Sequence, residues 1–589
     1  MKGDGLRERL KDSWPYLFVV AATLVVTREW WNTGMLAGHS AYMDFYRQIV
    51  LDAAVREGDV WPRFAEAFYA GHGSLLFHFY APLTYWITEL FVLLGAGVPV
   101  AIKLTHGLTI LLSGLFAALL ARELFGPWAA AAAGTYYVMA PYHLTDVLAR
   151  HAFGEAVAFA WLPLALWGIL GAVRDRSPGR MAAGAIGCAF LLLTHNITAM
   201  ITAPLLAAWW IFLTIRHRGE GYVGPLYGAL AGLWGLLLAA FFWLPAIAET
   251  GFVQSKRSLT QGYFVYWDHF VYLKQFFSLT WGHGGSRAGL DDTMSFQLGL
   301  AHWVGLAASI WVLVWSQKWR GTLFFWWGAL LASLAMCHAV SEPMWRLIPL
   351  LAFVQFPWRF LLPAALAASL VAAPVAQWLA EHVKQGVGLG LALCFIALPL
   401  VTYFPYTYAK HLLYNREQQR FRGYRQAAYD QRVKKKQFAR PADEFGIEHI
   451  RNTRINATAR DDFLPAGVKL LPRRPAANRI TAPRGTVTDI ERVGPRRYRA
   501  QVTMRETGDL QLHRFWYPGW RARVNGVDLT TAAGDRDGLV NVTLPAGDFD
   551  VEFWFGSTKL RAAAWLVSAL GLLGLAITII MARMRRKET

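Results

Sequence analysis

Runs of about 20 apolar residues recur along this chain, each long enough to cross the roughly 30 Å hydrocarbon layer of a bilayer as a helix. Lipid offers backbone groups no hydrogen-bond partner, so such runs must satisfy themselves internally, as helices do. About twelve spans are expected on this length rule, near residues 14–34, 101–121, 128–146, 154–173, 181–195, 197–215, 224–246, 297–317, 321–339, 360–380, 387–406 and 561–582. Composition agrees. The chain is 55% hydrophobic and 16% charged, where a soluble chain carries roughly 25% charge. The charged stretch 1–12 leads into an apolar run with no small-residue cleavage site, so the first span is expected to be retained.

Basic residues orient the spans. Arg122, then Arg174, Arg176 and Arg180, then Arg216 and Arg218, then Lys318 and Arg320, then Lys384, then Arg583, Arg585 and Arg586 fall in short segments beside spans. Short basic loops stay in the cytoplasm. That rule accounts for many of the charges behind the net +19. No basic stripe accompanies a recognition motif, so nucleic acid is not an expected partner. Cys188, Cys337 and Cys394 all lie in apolar runs, which argues against a disulfide framework or a thiolate metal site.

Three long segments are left outside: 28–100, 249–296 and 408–560. In the first, 44–57 reads as a surface helix with Phe45, Ile49 and Ala53 on one stripe. Residues 77–94 read as a helix in the outer interface, with Tyr80, Tyr85 and Trp86 at headgroup level. In the last, residues 498–504, 540–544 and 551–555 show strand character. Pro518-Gly519, Asn525-Gly526, Asp537-Gly538 and Ala546-Gly547 mark turns. The expected organisation is a polytopic α-helical transmembrane domain over 1–406 with its outer loop 28–100. A basic connector follows over 407–477, helical over roughly 410–437. A small outer-face β-sandwich covers 478–556, and a C-terminal transmembrane helix covers 561–582.

Ionisable residues gather at the outer ends of the spans. They are Lys103 and His106; Asp146, Arg150, His151 and Glu155; His195; Glu249, Lys256 and Arg257; His302; His338, Glu342 and Arg346; and Arg359. An alternating-access transporter places polar groups near the midplane on broken helices. Gathering on one face fits a ligand in the outer leaflet with its head group in water. Arginine grips phosphate with a planar fork. Structural roles compete at each position: Lys103 and Arg359 as snorkelling cations, His106 and His195 as packing histidines, and Glu155 as a partner for Arg150 or His151.

The run His39-Ser-Ala-Tyr-Met-Asp44-Phe-Tyr-Arg47 just after span one, with Ala121-Arg-Glu-Leu-Phe-Gly126 and Ala140-Pro-Tyr-His-Leu-Thr-Asp146, resembles the GT-C superfamily of membrane glycosyltransferases. Further pieces are similar to a bacterial membrane family labelled "6-pyruvoyl-tetrahydropterin-synthase-related". They are Gly71-His-Gly73, Phe79-Tyr-Ala-Pro82, Arg150-His-Ala-Phe-Gly-Glu155, Leu193-Thr-His195-Asn196 and Gln355-Phe-Pro-Trp-Arg359-Phe. From Phe515-Trp-Tyr-Pro-Gly-Trp520 to Leu544-Pro-Ala-Gly547 the chain resembles the outer β domain of lipoteichoic-acid-type glycosylation proteins. The chain departs from the pattern in two places. Tyr46 and Arg47 stand where a histidine often follows the loop acid. Of the paired acids that metal-dependent oligosaccharyltransferases carry after span three, only Asp146 is present, with Glu155 further on.

The resemblance implies an inverting glycosyltransferase in the bacterial inner membrane, with its site and β domain facing the periplasm. The donor would be a polyprenyl-phosphate sugar and the acceptor a glycan, lipid or protein. Related branches need no metal, and a divalent metal stays open. Asp44 is the implied base, with Glu155 the second choice. Arg47, Lys103, Arg150, His151, His195, Arg257 and Arg359 are the candidates to hold phosphate or sugar. The aromatic-rich segment 263–281 would cover the sugar or anchor in the interface. Two other readings are a flippase for a lipid-linked saccharide, which predicts a polar path through the bundle, and a non-catalytic envelope assembly protein acting through the β domain.

Overall fold

A computed structural model of the chain describes residues 2–31, 34–255, 260–415, 420–423, 447–452, 462–472 and 474–588. Its helices, in chain order, are α1 (Lys2–Thr27), α2 (Ala41–Arg56), α3 (Leu83–Leu93), α4 (Val98–Phe125), α5 (Pro127–Met139), α6 (Phe153–Arg174), α7 (Pro178–Thr194), α8 (Asn196–Arg216), α9 (Val223–Leu238), α10 (Ala240–Ala248), α11 (Leu300–Trp315), α12 (Arg320–Cys337), α13 (Leu361–His382), α14 (Gln385–Thr402) and α15 (Lys559–Glu588), with short turns between them. Among the described residues, α4, α6, α8, α12, α13 with the turn before it, α14 and α15 are long and apolar enough to cross a bilayer. The pair α9–α10, bent by 65°, makes an eighth.

Each expected span contains a helix, but α1, α5, α7 and α11 are shorter in their apolar parts than a crossing of about 20 residues. Proline and glycine set those limits. Pro127 and Pro178 open α5 and α7, and Ala140-Pro141 ends α5. The expected span 128–146 therefore stops at Met139 and gives way to a wide π-type turn over Thr145–Arg150. The segment 77–94 is a short turn, Leu76–Phe79, and then α3, whose 11 residues rise about 16 Å, well short of the hydrocarbon thickness.

Helices α6 and α13 form the buried centre. Small residues let their neighbours approach closely. A Cβ on Gly168 of α6 would lie 2.1 Å from the Gly184 nitrogen of α7.

The C-terminal β region is two antiparallel sheets, in strand order β10-β11-β7-β4 and β5-β6-β12-β8-β9. The strands are β4 (Ile480–Thr481), β5 (Gly485–Gly494), β6 (Arg497–Met504), β7 (Gly508–Phe515), β8 (Trp520–Val524), β9 (Val527–Thr530), β10 (Ala532–Ala533), β11 (Leu539–Leu544) and β12 (Gly547–Phe555). On β6, Tyr498, Ala500, Val502 and Met504 are buried and their neighbours exposed, the period-two pattern of a strand with one face inward. Asn525 and Gly526 both take positive φ between β8 and β9, as a two-residue primed hairpin turn requires.

A third sheet joins the first outer loop to the chain after α14. β1 (Met35–Leu36) pairs with β2 (His411–Asn415), and β2 with β3 (Arg420–Gly423). Where a helix was expected over roughly 410–437, the described part is this ladder, because β1 supplies a strand edge to pair with. Residues 424–437 lie outside the described residues.

Candidate active site

Two buried clusters, each a carboxylate held by arginine, lie on elements that are hydrogen-bonded to each other. The first is on α2. Asp44 Oδ1 accepts from Tyr85 Oη at 2.6 Å and from Arg47 Nη1 at 3.0 Å. Arg47 stands one turn along the same helix, and its guanidinium lies 4.4 Å from the Tyr80 ring centre. Asp44 Oδ2 is buried with no hydrogen-bond partner. Burial pushes the Asp44 carboxyl up to about 6, although Arg47 and Tyr85 act against it. A buried carboxylate with one bare oxygen and a raised pKa has the properties of a general base.

The second cluster is built by the π-type turn, the start of α6 and the turn before α13. Glu155 Oε1 accepts from Tyr142 Oη at 2.6 Å. Its Oε2 accepts from Arg150 Nη2 at 3.0 Å and Arg359 Nε at 3.2 Å. Arg150 also pairs with Asp146, four residues back, and lies 4.3 Å from the Trp358 ring centre. Arg359 Nη1 donates to the Val354 carbonyl at 2.7 Å and to Gln355 Oε1 at 3.0 Å. Gln355 takes a positive φ of 66°, which turns the chain sharply before Arg359. With three donors on its two oxygens, Glu155 holds the two arginines together.

The two clusters are tied through the backbone. His39 N donates to the Ala149 carbonyl at 3.3 Å, and Ser40 N to the Arg150 carbonyl at 3.1 Å. Gly38 permits that contact: a Cβ there would come within 2.5 Å of the His151 Cβ. Phe153 fills the space between, with its ring 5.9 Å from Tyr85 and 4.8 Å from His106.

The other expected residues fall around this core. His151 is buried with neither ring nitrogen bonded, and its ring lies 4.9 Å from His106 and 5.8 Å from Phe153. His195 caps α8: its Nδ1 accepts from Thr198 N at 3.3 Å. Gly154 leaves room for that turn, since a Cβ would meet the Thr194 carbonyl at 2.8 Å. Burial, with Arg359 and Arg150 adding to it, pushes the His195 ring down to about 3, so it stays neutral. Lys103 is buried on α4 and acts on His411 of β2. Arg257 lies outside the described residues. Among the described residues no group of three or more His, Cys, Asp or Glu side chains could hold a metal ion.

The aromatic segment packs over the second cluster. Ser286 Oγ is met by His269 Nδ1 at 2.9 Å and Trp358 Nε1 at 3.3 Å, and the Ser286 carbonyl accepts from Tyr263 Oη at 3.0 Å. His269 and Phe264 meet the Phe356 ring edge to face.

No family model matches the chain. An uncharacterized protein of Lactococcus lactis subsp. cremoris is 23% identical over 261 residues, 42% of this chain and 41% of the relative. Among solved structures, the apo oligosaccharyltransferase of Archaeoglobus fulgidus aligns with a TM-score of 0.45 at 15% identity, over 68% of this chain and 57% of that one. The mycobacterial arabinofuranosyltransferase AftD aligns at 0.42 and 14%, over 67% of this chain and 26% of that one. ArnT from Cupriavidus metallidurans, bound to undecaprenyl phosphate, aligns at 0.39 and 16%, over 67% and 74%. The chain therefore spans well under two thirds of the curated relative and of the first two structures. At these scores and identities the likeness establishes neither a family nor an activity for this chain.

Three participants escaped the sequence reading. Tyr85 and Tyr142 looked like interface or span aromatics, and only contact shows their hydroxyls on Asp44 and Glu155. Gln355 carried a usable signal, since a polar residue four positions before an arginine suits a local hydrogen bond.

Proposed function

We propose that this protein transfers a sugar from a polyprenyl-phosphate-linked donor to an acceptor hydroxyl in the envelope, with inversion and without a metal, at the outer face of the bacterial inner membrane. The reading rests on one observation above all: the helix bearing Asp44, with its bare buried oxygen, is hydrogen-bonded through its leading residues to the carbonyl of Arg150 in the arginine cluster. The motifs that resemble GT-C glycosyltransferases contribute the same residues.

In this reaction the acceptor oxygen attacks the anomeric carbon and its proton passes to Asp44 Oδ2. The bond from the anomeric carbon to the phosphate oxygen breaks. The leaving polyprenyl phosphate gains a second negative charge. Arginine donors already in place stabilise that charge without reorganising. Arg359 Nη2 donates to no partner among the described residues and is the donor left for it. Arg47 positions Asp44, and Glu155 with Asp146 keeps Arg150 and Arg359 fixed. The segment 263–281 covers the sugar and keeps water from competing with the acceptor.

The test is mass spectrometry of envelope lipids and glycans from a deletion strain complemented with wild type or with Asp44→Asn. The expected result is loss of one sugar from a surface product and accumulation of the polyprenyl-phosphate sugar, restored by wild type alone. Full restoration by Asp44→Asn would remove Asp44 as the base and favour the flippase or the scaffold.

A further inference from the structure

A cavity of about 140 Å³ opens between the first outer loop, the helix Ile447–Asn452 and the C-terminal end of β7. Arg451, Arg479, Arg514, His72, His513 and Glu66 supply its polar lining, and the residues of the candidate active site are not among them.

The charges in this lining do not cancel. Glu66 is spoken for, with Oε1 accepting from Tyr498 Oη at 2.9 Å and Oε2 from Arg492 Nη2 at 3.0 Å. Arg514 is only 7% exposed, yet all its acceptors are neutral: the Gly71 carbonyl, the His513 carbonyl at 3.0 Å and Tyr498 Oη at 2.7 Å. Its Nε is buried with no partner, and it makes no ion pair among the described residues. A buried guanidinium without a counter-charge is costly. Arg479, at the mouth, lies 5.7 Å from the Tyr498 ring centre and likewise has no ion pair among the described residues. The imidazoles feel the same field. Burial first, and then Arg514, lowers both His72, to about 4, and His513, so neither adds a charge of its own.

We infer that this cavity is a second anion site, in which Arg514 at the floor and Arg479 at the mouth bind a phosphate group, either free or esterified to a sugar. Arginine forks match phosphate oxygens in pairs. The volume exceeds what a phosphate alone would fill, which leaves room for an attached group.

The test uses the full chain in detergent micelles and a phosphate-free buffer, titrated calorimetrically with inorganic phosphate, glucose 1-phosphate and glucose. Two variants accompany the wild type: Arg479→Gln, and Ala476→Trp, which fills the lining. Arg479 carries no structural ion pair, so both variants are expected to melt with the wild type, a control read on the same samples. Phosphate compounds are expected to bind and glucose not, with each variant weakening binding about tenfold or more. Glucose 1-phosphate binding about tenfold tighter than phosphate assigns the site to a sugar ester. Equal binding assigns it to free phosphate. Dissociation constants above about 10 mM for both, or binding that both variants retain, overturns the site.

Discussion

Asp44 is defined by what surrounds it. Two partners occupy one oxygen and burial strips water from both. In the proposed role of base it must be ionised, so turnover is expected above pH 6 and lost as pH falls through about 6. Stability runs the other way. Between the ordinary carboxylate range near 4 and the folded value near 6, the folded state holds a proton that the unfolded chain has released. Stability therefore falls as pH rises through that window, by about 3 kcal/mol in all. Asp44→Asn should flatten a plot of melting temperature against pH between 4 and 6. It should also lower kcat by roughly 10²–10⁴, the usual weight of a general base. Glu155 answers differently. Glu155→Gln leaves Arg150 and Arg359 sharing one fewer buried carboxylate, a change expected to cost roughly 3–5 kcal/mol in thermal unfolding. Arg359→Gln added to it should recover part of that loss, since the two side chains are in contact.

At the scale of elements, the site depends on how closely α2 and the π-type turn approach. Gly38 is the permissive position, and Gly38→Ala forces a Cβ into His151. The variant is expected to lose about 1–3 kcal/mol of stability, as overpacking does. Its kcat should fall more than its KM rises, because the base is moved while the arginines stay. Kinetics beside a melting curve would check this, and an unchanged kcat would separate the α2 docking from catalysis. The turn over Thr145–Arg150 shows why this region was hard to read. Its residues continue an apolar run, and nothing local marks the helix as ending at Met139 except Pro141. The hairpin at Asn525-Gly526 is the opposite case. Those two residue types take positive φ readily, and the turn stands where the sequence placed it.

For the molecule as a whole, one ion cluster fastens the C-terminal part to the bundle. Arg561 at the start of α15 is fully buried and donates to Glu249 Oε2 at 3.1 and 2.7 Å; His78 of the outer loop lies 2.9 Å from the same oxygen. Burial would raise the Glu249 carboxyl, but the His78 ring and Arg561 guanidinium overcome it and hold it at about 2. A carboxyl so depressed contributes stability above the ordinary carboxylate range and loses it only as pH falls through about 2. Arg561→Met should cost roughly 3–5 kcal/mol by leaving Glu249 buried beside a neutral histidine. Limited proteolysis should then release the β region faster than in the wild type. Unchanged melting and cleavage would mean that other contacts, the Arg492–Glu66 pair and the Trp61–Phe241–Trp565 packing among them, hold the two parts together without it.

Periodicity and length were enough to place a helix in every expected span, and alternation with turn residues was enough to place strands at 498–504, 540–544 and 551–555. Both signals are local, written in residues two to four apart. The gathering of Arg150, Glu155, His195 and Arg359 at one end was also legible, because a topology read from loop charge brings helix ends together. The pairing inside that end was not. Whether Glu155 faces a substrate or two arginines, whether Tyr85 meets Asp44, and whether 411–415 is helix or strand depend on neighbours 40 to several hundred residues away. Only the folded chain sets those contacts, because a buried polar group takes whichever partner the packing brings within hydrogen-bond reach.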